Sequence, residues 1–324
     1  MSTMQYGRKV SLIVGQDAGA AMDLSELRIV FDVRRGDLQT PNSLRARVYN
    51  VSETTRQRIE QEFTRIVLQA GFEGNFGIIF DGTIKQVRRG RESQTDTYLD
   101  ITAADGDSAY NFAVVNTSLA AGSTLKQHVQ AACTAMAPFG VSLDYMFEVP
   151  ENPLPRGKVM FGMARDFMRG AARTAQAVWS IQDGKVQLVP ETSYRPGDIP
   201  VITSETGMVG LPEQTQNGIT VKMLLNPYVK ISQLIWLDNA SIQRYEYSLN
   251  AQQQAQNFRV GLQAKIQDDG FYYVMTAEHH GDTRGQDFYT DVICMAADVT
   301  VLPDSFKDKH TVPPANVAII KKFG

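Results

Sequence analysis

Residues 97–105 read Thr-Tyr-Leu-Asp-Ile-Thr-Ala-Ala-Asp, and residues 290–298 read Thr-Asp-Val-Ile-Cys-Met-Ala-Ala-Asp. Laid without gaps at an offset of 193, they share the opening threonine and the closing Ala-Ala-Asp. Leu99, Ile101 and Ala103 then fall on Val292, Cys294 and Ala296, so the apolar face of an alternating strand is kept in both. The match runs backwards as well: Thr83 falls on Thr276 and Arg91 on Arg284. Each copy places a charged, glycine-bearing segment between a strand and its return. In the first copy it is Arg88-Arg89-Gly90-Arg91-Glu92; in the second it is His280-Gly281-Asp282-Thr283-Arg284-Gly285. Strand, polar loop and returning strand thus occur twice.

The surrounding pattern agrees. Lys9–Gly15, Leu27–Val33 and Ser43–Tyr49 alternate or are β-branched, and read as strands, as do 76–87 and 97–104. Between Ser43–Tyr49 and 76–87, Ser52 is placed to cap a helix that carries Ile59 and Phe63 one turn apart. The middle of the chain changes period. Ser123 precedes Leu125, Val129, Cys133 and Met136, which share one helical face, and a second helix is expected from about Val159 to Ala177. Pro150, Pro153 and Pro155 separate the two. Asp183-Gly184 between 178–182 and 185–189 is a type I′ hairpin signal. Strand patterns return at 218–225, 232–238, 243–249, 270–278 and 289–297, interrupted by a glutamine-rich polar stretch at 252–256.

The expected fold is mainly β with an α/β insert: two tube-like β-barrel domains related by internal duplication. The expected division is 1–115 for the first barrel, 116–200 for the α/β domain, 201–302 for the second barrel and 303–324 for an extended C-terminal arm. That arm is rich in proline and charge until the short apolar run Val317-Ala318-Ile319-Ile320.

Composition narrows the functions. The 324 residues include 32 basic and 35 acidic side chains, a net charge of −3, which disfavours a generally basic nucleic-acid binder. Two cysteines, Cys133 and Cys294, exclude a disulfide-stapled scaffold and a four-cysteine zinc site. No apolar run approaches the ~18–20 residues that span a bilayer, and the polar N-terminus is unlike a signal peptide; synthesis in a reducing cytoplasm is expected.

Candidate chemistry is sparse. His279 and His280 are adjacent, so a strand sends them to opposite faces and they cannot share an ion. Asp105-Gly106-Asp107 lacks the glycine and glutamate of a calcium loop, having Tyr110 and Asn116 there, and reads as a turn leaving a strand. Walker, nucleophile-elbow and zinc-protease motifs are missing. Arg88-Arg89-Gly90-Arg91 is the dense basic cluster, but Glu92 and Asp96 follow and no aromatic platform is near, so a partner contact is favoured over nucleic acid. No catalytic residue, cofactor or metal is assigned.

The sequence resembles the hub proteins at the base of phage tails, related to the trimeric base of type VI secretion spikes. The resemblance rests on Phe80-Asp81-Gly82-Thr83-Ile84, on 99–106, on Val221-Lys222-Met223-Leu224-Leu225-Asn226-Pro227, and on Tyr272-Tyr273-Val274 through Gly281-Asp282. Where that family often has proline-glycine, Ile231-Ser232 stands here. The resemblance implies a structural, non-enzymatic virion protein of the tail baseplate. It implies a homotrimeric ring that adapts a sixfold tail tube to a threefold spike and encloses the channel for DNA and tape measure. Its implied partners are tail tube or distal tail proteins, a central spike and baseplate wedge proteins, with no membrane insertion and no specific nucleic-acid binding. The two polar segments, 88–92 and 280–285, are the expected assembly contacts. Two other readings stand beside it: a cell-wall hydrolase on a β scaffold, and a tube-like protein without the adaptor role.

Overall fold

The structure is a computed structural model and describes residues 6–16, 19–149, 153–191, 193–215, 218–237 and 270–296. The candidate strand at 243–249, the glutamine-rich stretch, Ala297-Asp298 and the C-terminal arm lie outside the described residues. The first part of the chain gives β1 (Arg8–Gly15), β2 (Ala21–Asp23), β3 (Ile29–Gly36), β4 (Ser43–Tyr49), α1 (Glu53–Gln61), β5 (Arg65–Phe72), β6 (Asn75–Arg91) and β7 (Thr97–Ala104). The middle gives α2 (Asp107–Phe112), β8 (Val114–Leu119), α3 (Leu125–Met136), β9 (Ser142–Met146), β10 (Lys158–Met163), α4 (Ala164–Thr174), β11 (Ala177–Gln182) and β12 (Lys185–Pro190). The last part gives β13 (Val201–Ile202), β14 (Glu213–Thr215), β15 (Gly218–Leu224), β16 (Leu234–Leu237), β17 (Phe271–Asp282) and β18 (Phe288–Ala296).

Local chemistry sets many of these boundaries. Ser52 Oγ accepts the Thr55 N–H at 3.2 Å and starts α1, which buries Ile59. Thr124 rather than Ser123 is the N-cap of α3, with Gln127 Oε1 accepting the Thr124 N–H at 3.0 Å. Asp183 and Gly184 both take positive φ, 54° and 72°, as the β11–β12 turn requires. One expectation fails: residues 158–163 form strand β10, not the first turns of a helix, and α4 begins at Ala164. Gly162 at φ 149° and the β-branched Val159 oppose helix there, while pairing with β8 satisfies the backbone.

The larger correction concerns the barrels. The described residues hold no pair of closed barrels; a 13-stranded sheet runs in the order β14-β15-β18-β17-β3-β4-β7-β6-β5-β1-β2, with β16 on β17 and β13 on β16. Strands β3 and β17 join the two halves, antiparallel, from Gly36 opposite Thr276 to Val30 opposite Asp282. The sheet curls over two cores. One contains Leu12, Ile29, Phe31, Val48, Leu68 and Ile101; the other contains Val221, Ile235, Tyr272, Val274 and Val292. The middle elements pack a third around Met136, Met168 and Trp179.

The hairpins β6–β7 and β17–β18 share a device. Each carries a bulge in its first strand, at Lys85 and at Met275. An offset of 193 puts Lys85 on Glu278, so the gap-free match does not reproduce the register.

The halves also exchange side chains. Phe288 and Leu225, from the second half, are fully buried in the first core, and Phe288 meets Phe31 and Phe72 edge-on with centroids 6.1 and 5.3 Å apart. Gly281 opposite Phe31 permits this, since a Cβ there would lie 2.6 Å from Phe31 Cζ. Phe288→Ala should therefore lower stability by about 3–5 kcal/mol and weaken both halves together. Urea unfolding followed by hydrogen exchange checks this; protection lost only in the second half would mean that the halves fold independently.

Candidate functional site

No group of three or more His, Cys, Asp or Glu side chains among the described residues is placed to hold a metal ion. His279 and His280 do point to opposite faces. His279 is fully buried, shares a 2.8 Å hydrogen bond with Thr290 through Nδ1, and is pushed down to about 3 by burial and then by the charges of Arg35 and Lys230. It is a neutral core side chain. His128 sits beside Ser123 Oγ at 3.3 Å, lowered by burial and by Lys158. His310 lies outside the described residues. No helix among the described residues is long and apolar enough to cross a membrane.

What the sheet does build is a charged face. Alternation sends the apolar residues of β3, β4, β7, β17 and β18 into the cores, together with Arg35, His279 and Thr290, and leaves most of their other polar residues on the opposite side. Cross-strand pairing then aligns them in rows. One runs Arg88, Asp100, Arg47, Val30, Asp282; the next runs Gln86, Thr102, Arg45, Asp32, His280, Tyr289; a third runs Ser43, Arg34, Glu278, Asp291, Lys222. The signs alternate: Arg47 Nε lies 2.7 Å from Asp100, Arg34 Nε 3.1 Å from Asp32, and Lys222 Nζ 4.4 Å from the Tyr289 ring centroid. Burial works to raise the Asp100 carboxyl, but the hydrogen bond and charge of Arg47 outweigh it and hold it below the ordinary carboxylate value.

Both hairpin tips rise from the same rim of this face. Most of the residues expected in loops are strand: Arg88–Arg91 end β6 and His280–Asp282 end β17, leaving turns at 92–96 and 283–287. The bulged, antiparallel pairing extends the strands to the tips. The two tips differ. Thr283, Arg284 and Gly285 are tied to the first half of their own chain: Thr283 Oγ1 accepts the Ile29 N–H at 2.9 Å, Arg284 donates to Glu26 O at 3.2 Å, and Arg8 donates to Gly285 O and Gln286 O at 2.8 Å each. Arg88, Arg89, Arg91 and Glu92 instead face solvent, while Gly90 gives room to the Tyr98 ring. Arg28 lies between the tips. Its guanidinium is 2.7 Å from Asp282, and it is raised by that hydrogen bond and by the nearby charges of Tyr49 and Glu92.

A second constellation, which the sequence reading missed, joins the middle elements to the sheet. Buried Asp105, at the end of β7, accepts the N–H groups of Asp183 and Gly184 at 2.5 and 2.8 Å. Asn42 donates to Gln182 Oε1 at 2.9 Å and to Ile181 O at 3.1 Å, and Gln182 donates to Gly36 O at 2.8 Å. Arg35 donates to Asp183 at 2.9 Å and to Ile79 O at 3.2 Å, and Lys230 Nζ stands 3.6 Å from Asp183. Of these groups, Arg35, Gln182, Asp183 and Lys230 border a cleft of about 500 Å³ that Arg195 and Asp144 also line, themselves paired at 2.6 Å. Asp105 and Gly106 leave β7 as expected, but Gly106, at φ 64°, is the N-cap of α2 and Asp107 its first residue; Asp105 also serves as the seat of the β11–β12 hairpin.

Two carboxyls here titrate in opposite senses. Burial, then the charge of Asp183, pushes Asp105 up to about 6. Asp183 is held below its ordinary value because Arg35 and Lys230 outweigh its burial. The folded state therefore takes up the Asp105 proton before the unfolded chain does. Its contribution to stability is full below pH ~3.8 and is lost as pH rises through about 6. Asp183 contributes at neutral pH and loses that contribution as acid protonates it in the folded state. Urea titrations of the parent and Asp105→Asn chains should show the parent's relative stability falling between pH 4 and 6.5; a constant difference would contradict the assignment. Asp105→Ala orphans two part-buried N–H groups and should cost about 1 kcal/mol for each.

Comparison with known proteins bears on this geometry. Residues 38–242 match the family model described as Baseplate hub gp41. A tail protein from Neisseria meningitidis has a similar fold, with a TM-score of 0.55 at 10% identity over 90% of this chain and 97% of that one. The 43 kDa tail protein of prophage MuSo2 from Shewanella oneidensis gives 0.50 at 8% identity, over 91% and 100% of the two chains. The E. coli c3393 protein, a type VI secretion component, gives 0.50 at 9% identity, over 95% and 80%. No curated protein matches the sequence. At such identities the solved structures speak to fold alone, and the match of most of the chain to one family model decides membership. This chain belongs to the Baseplate hub gp41 family.

Proposed function

We propose that this chain is the structural hub of a phage tail baseplate, assembled as a homotrimeric ring that adapts a sixfold tail tube to a threefold spike. The observation that carries this reading is the single sheet shared by two halves, each with its own core and its own bulged hairpin. Three such subunits present six similar units in a closed ring. The charged face lines the channel, because a sheet with one face in the core leaves only the other for an aqueous bore. The three rows hold five arginine or lysine and five aspartate or glutamate side chains, so the bore neither attracts nor repels a polyanion strongly. That balance suits passage of DNA and tape measure without specific nucleic-acid binding.

The rim carries the contacts. The exposed Arg88, Arg89, Arg91 and Glu92 meet a neighbouring subunit or the adjoining tube ring, while 280–285 fix the rim's shape from within. Tail tube or distal tail proteins, the central spike and baseplate wedge proteins are the partners, in the virion. Native mass measurement with rotational averaging of electron micrographs should find three chains, alone or with the spike; a closed hexamer of this chain would sink the reading. Reversing the rim charges (Arg88→Glu, Arg89→Glu, Arg91→Glu) should leave the melting temperature of the isolated subunit within about 2 °C and abolish incorporation into tails, because exposed changes act within ±0.5 kcal/mol. Normal tails from that variant would remove the rim from the contact.

A further inference from the structure

The two-stranded ribbon of β8 and β10 belongs to neither larger sheet. One face is core: Met160 and Val115 are buried, over α3 and α4. On the other, Phe161 stands opposite Asn116, Val159 opposite Ser118, and Met163 opposite Val114. Val159 is 79% and Phe161 75% exposed, Val114 is half exposed, and Phe112 lies just before it at 66%. Four large apolar side chains exposed together along one ribbon mark a covered surface rather than a solvated one. Elsewhere among the described residues, Tyr6 and Leu38 are exposed singly and Val209 and Leu211 as a pair.

The chain itself supplies a complementary segment. Twenty residues, 297–316, separate the last described residue from Val317-Ala318-Ile319-Ile320. The run has β-branched residues at three of its four positions, suits a pleated apolar surface, and is too short to form a core. Twenty residues reach up to ~66 Å, against a radius of gyration near 20 Å for a compact chain of this size. The ribbon is therefore within range, and tethering places the run at roughly millimolar effective concentration, ahead of any segment from a separate molecule. We propose that residues 317–320 dock on the outward face formed by Phe112, Val114, Val159 and Phe161 of the same chain. The inference is independent of the ring, since it concerns the isolated subunit.

Cys133 and Cys294 are both buried, so an introduced thiol reports its own surroundings. Phe161→Cys combined in turn with Val317→Cys, Ala318→Cys, Ile319→Cys or Ile320→Cys should form an intrachain disulfide in a glutathione buffer for at least one pairing. Leu211→Cys, an exposed apolar site elsewhere, should form none with the same partners. Deleting residues 315–324 should raise binding of an apolar-surface dye at least twofold, and adding Val159→Ser and Phe161→Ser to the deletion should remove that rise. Links no more frequent than in the Leu211→Cys control, links between chains, or dye binding unaffected by the deletion would each overturn the proposal. A fall in melting temperature without added dye binding would overturn it as well, showing that the run completes another part of the fold.

Discussion

The ladder between β3 and β17 is the constraint on which the rest of the architecture depends. A strand has two hydrogen-bonding edges, and β3 gives one to β4 and the other to β17. Neither half can then curl its sheet closed on itself through β3, because no free edge remains there. Among the described residues the consequence is one long sheet over two cores, with no pair of closed barrels. Phe288 and Leu225 reinforce the join by filling the first core from the second half, and Arg8 closes over the Phe288 ring at 5.2 Å from its centroid. Backbone pairing fixes the halves in register, and side-chain burial makes separation costly. A rigid pair is what a subunit needs if its two halves are to present a common surface.

The middle elements are attached by different physics. Their own core is apolar and separate, but the contact with the sheet is a buried polar network centred on Asp105, Asn42, Gln182 and Arg35. Apolar contact tolerates sliding; a carboxylate holding two adjacent backbone N–H groups does not. The β11–β12 turn is thereby held at one angle to β7, and Arg35 and Lys230 bring both halves of the sheet to the same carboxylate, Asp183. Three parts of the chain converge on one hairpin.

Much of this was legible in the sequence, and the failures have physical causes. The alternation in 27–33, 43–49 and 97–104 identified strands and buried faces because each has one solvated side. Strand β5 escaped notice because Ile66 and Leu68 are embedded in a run that follows a helix without a break signal. The Val159–Ala177 stripe merged a strand with a helix because Phe161 and Ala164 are three apart by accident, one facing solvent and the other the core. The pairing of β3 with β17 joins residues about 250 positions apart, and no local pattern reports which edge meets which. The same holds for the rim. The polar composition of 88–92 and 280–285 was plain, but Arg8 and Thr283 show their roles only once the fold brings position 8 to position 285.

The charged face shows why alternation of sign matters more than net charge. A basic stripe would hold a polyanion by releasing counterions, and the hold would grow with every cation in the row. Here each cation in the three rows has an anion opposite or diagonal to it, as Arg47 and Arg45 both approach Asp100, and Arg34 stands between Asp32 and Glu278. The field of such a lattice falls within a few ångströms, inside the ~8 Å screening length of physiological salt. Paired charges are also tethered side chains, so the surface stays hydrated without becoming mobile. Exposed aromatics would add stacking platforms for bases, yet Tyr98 is covered by Arg47 at 4.0 Å and Tyr289 by Lys222. A face with short-range fields and covered rings gives a charged polymer little to settle on, which is what the proposed bore requires.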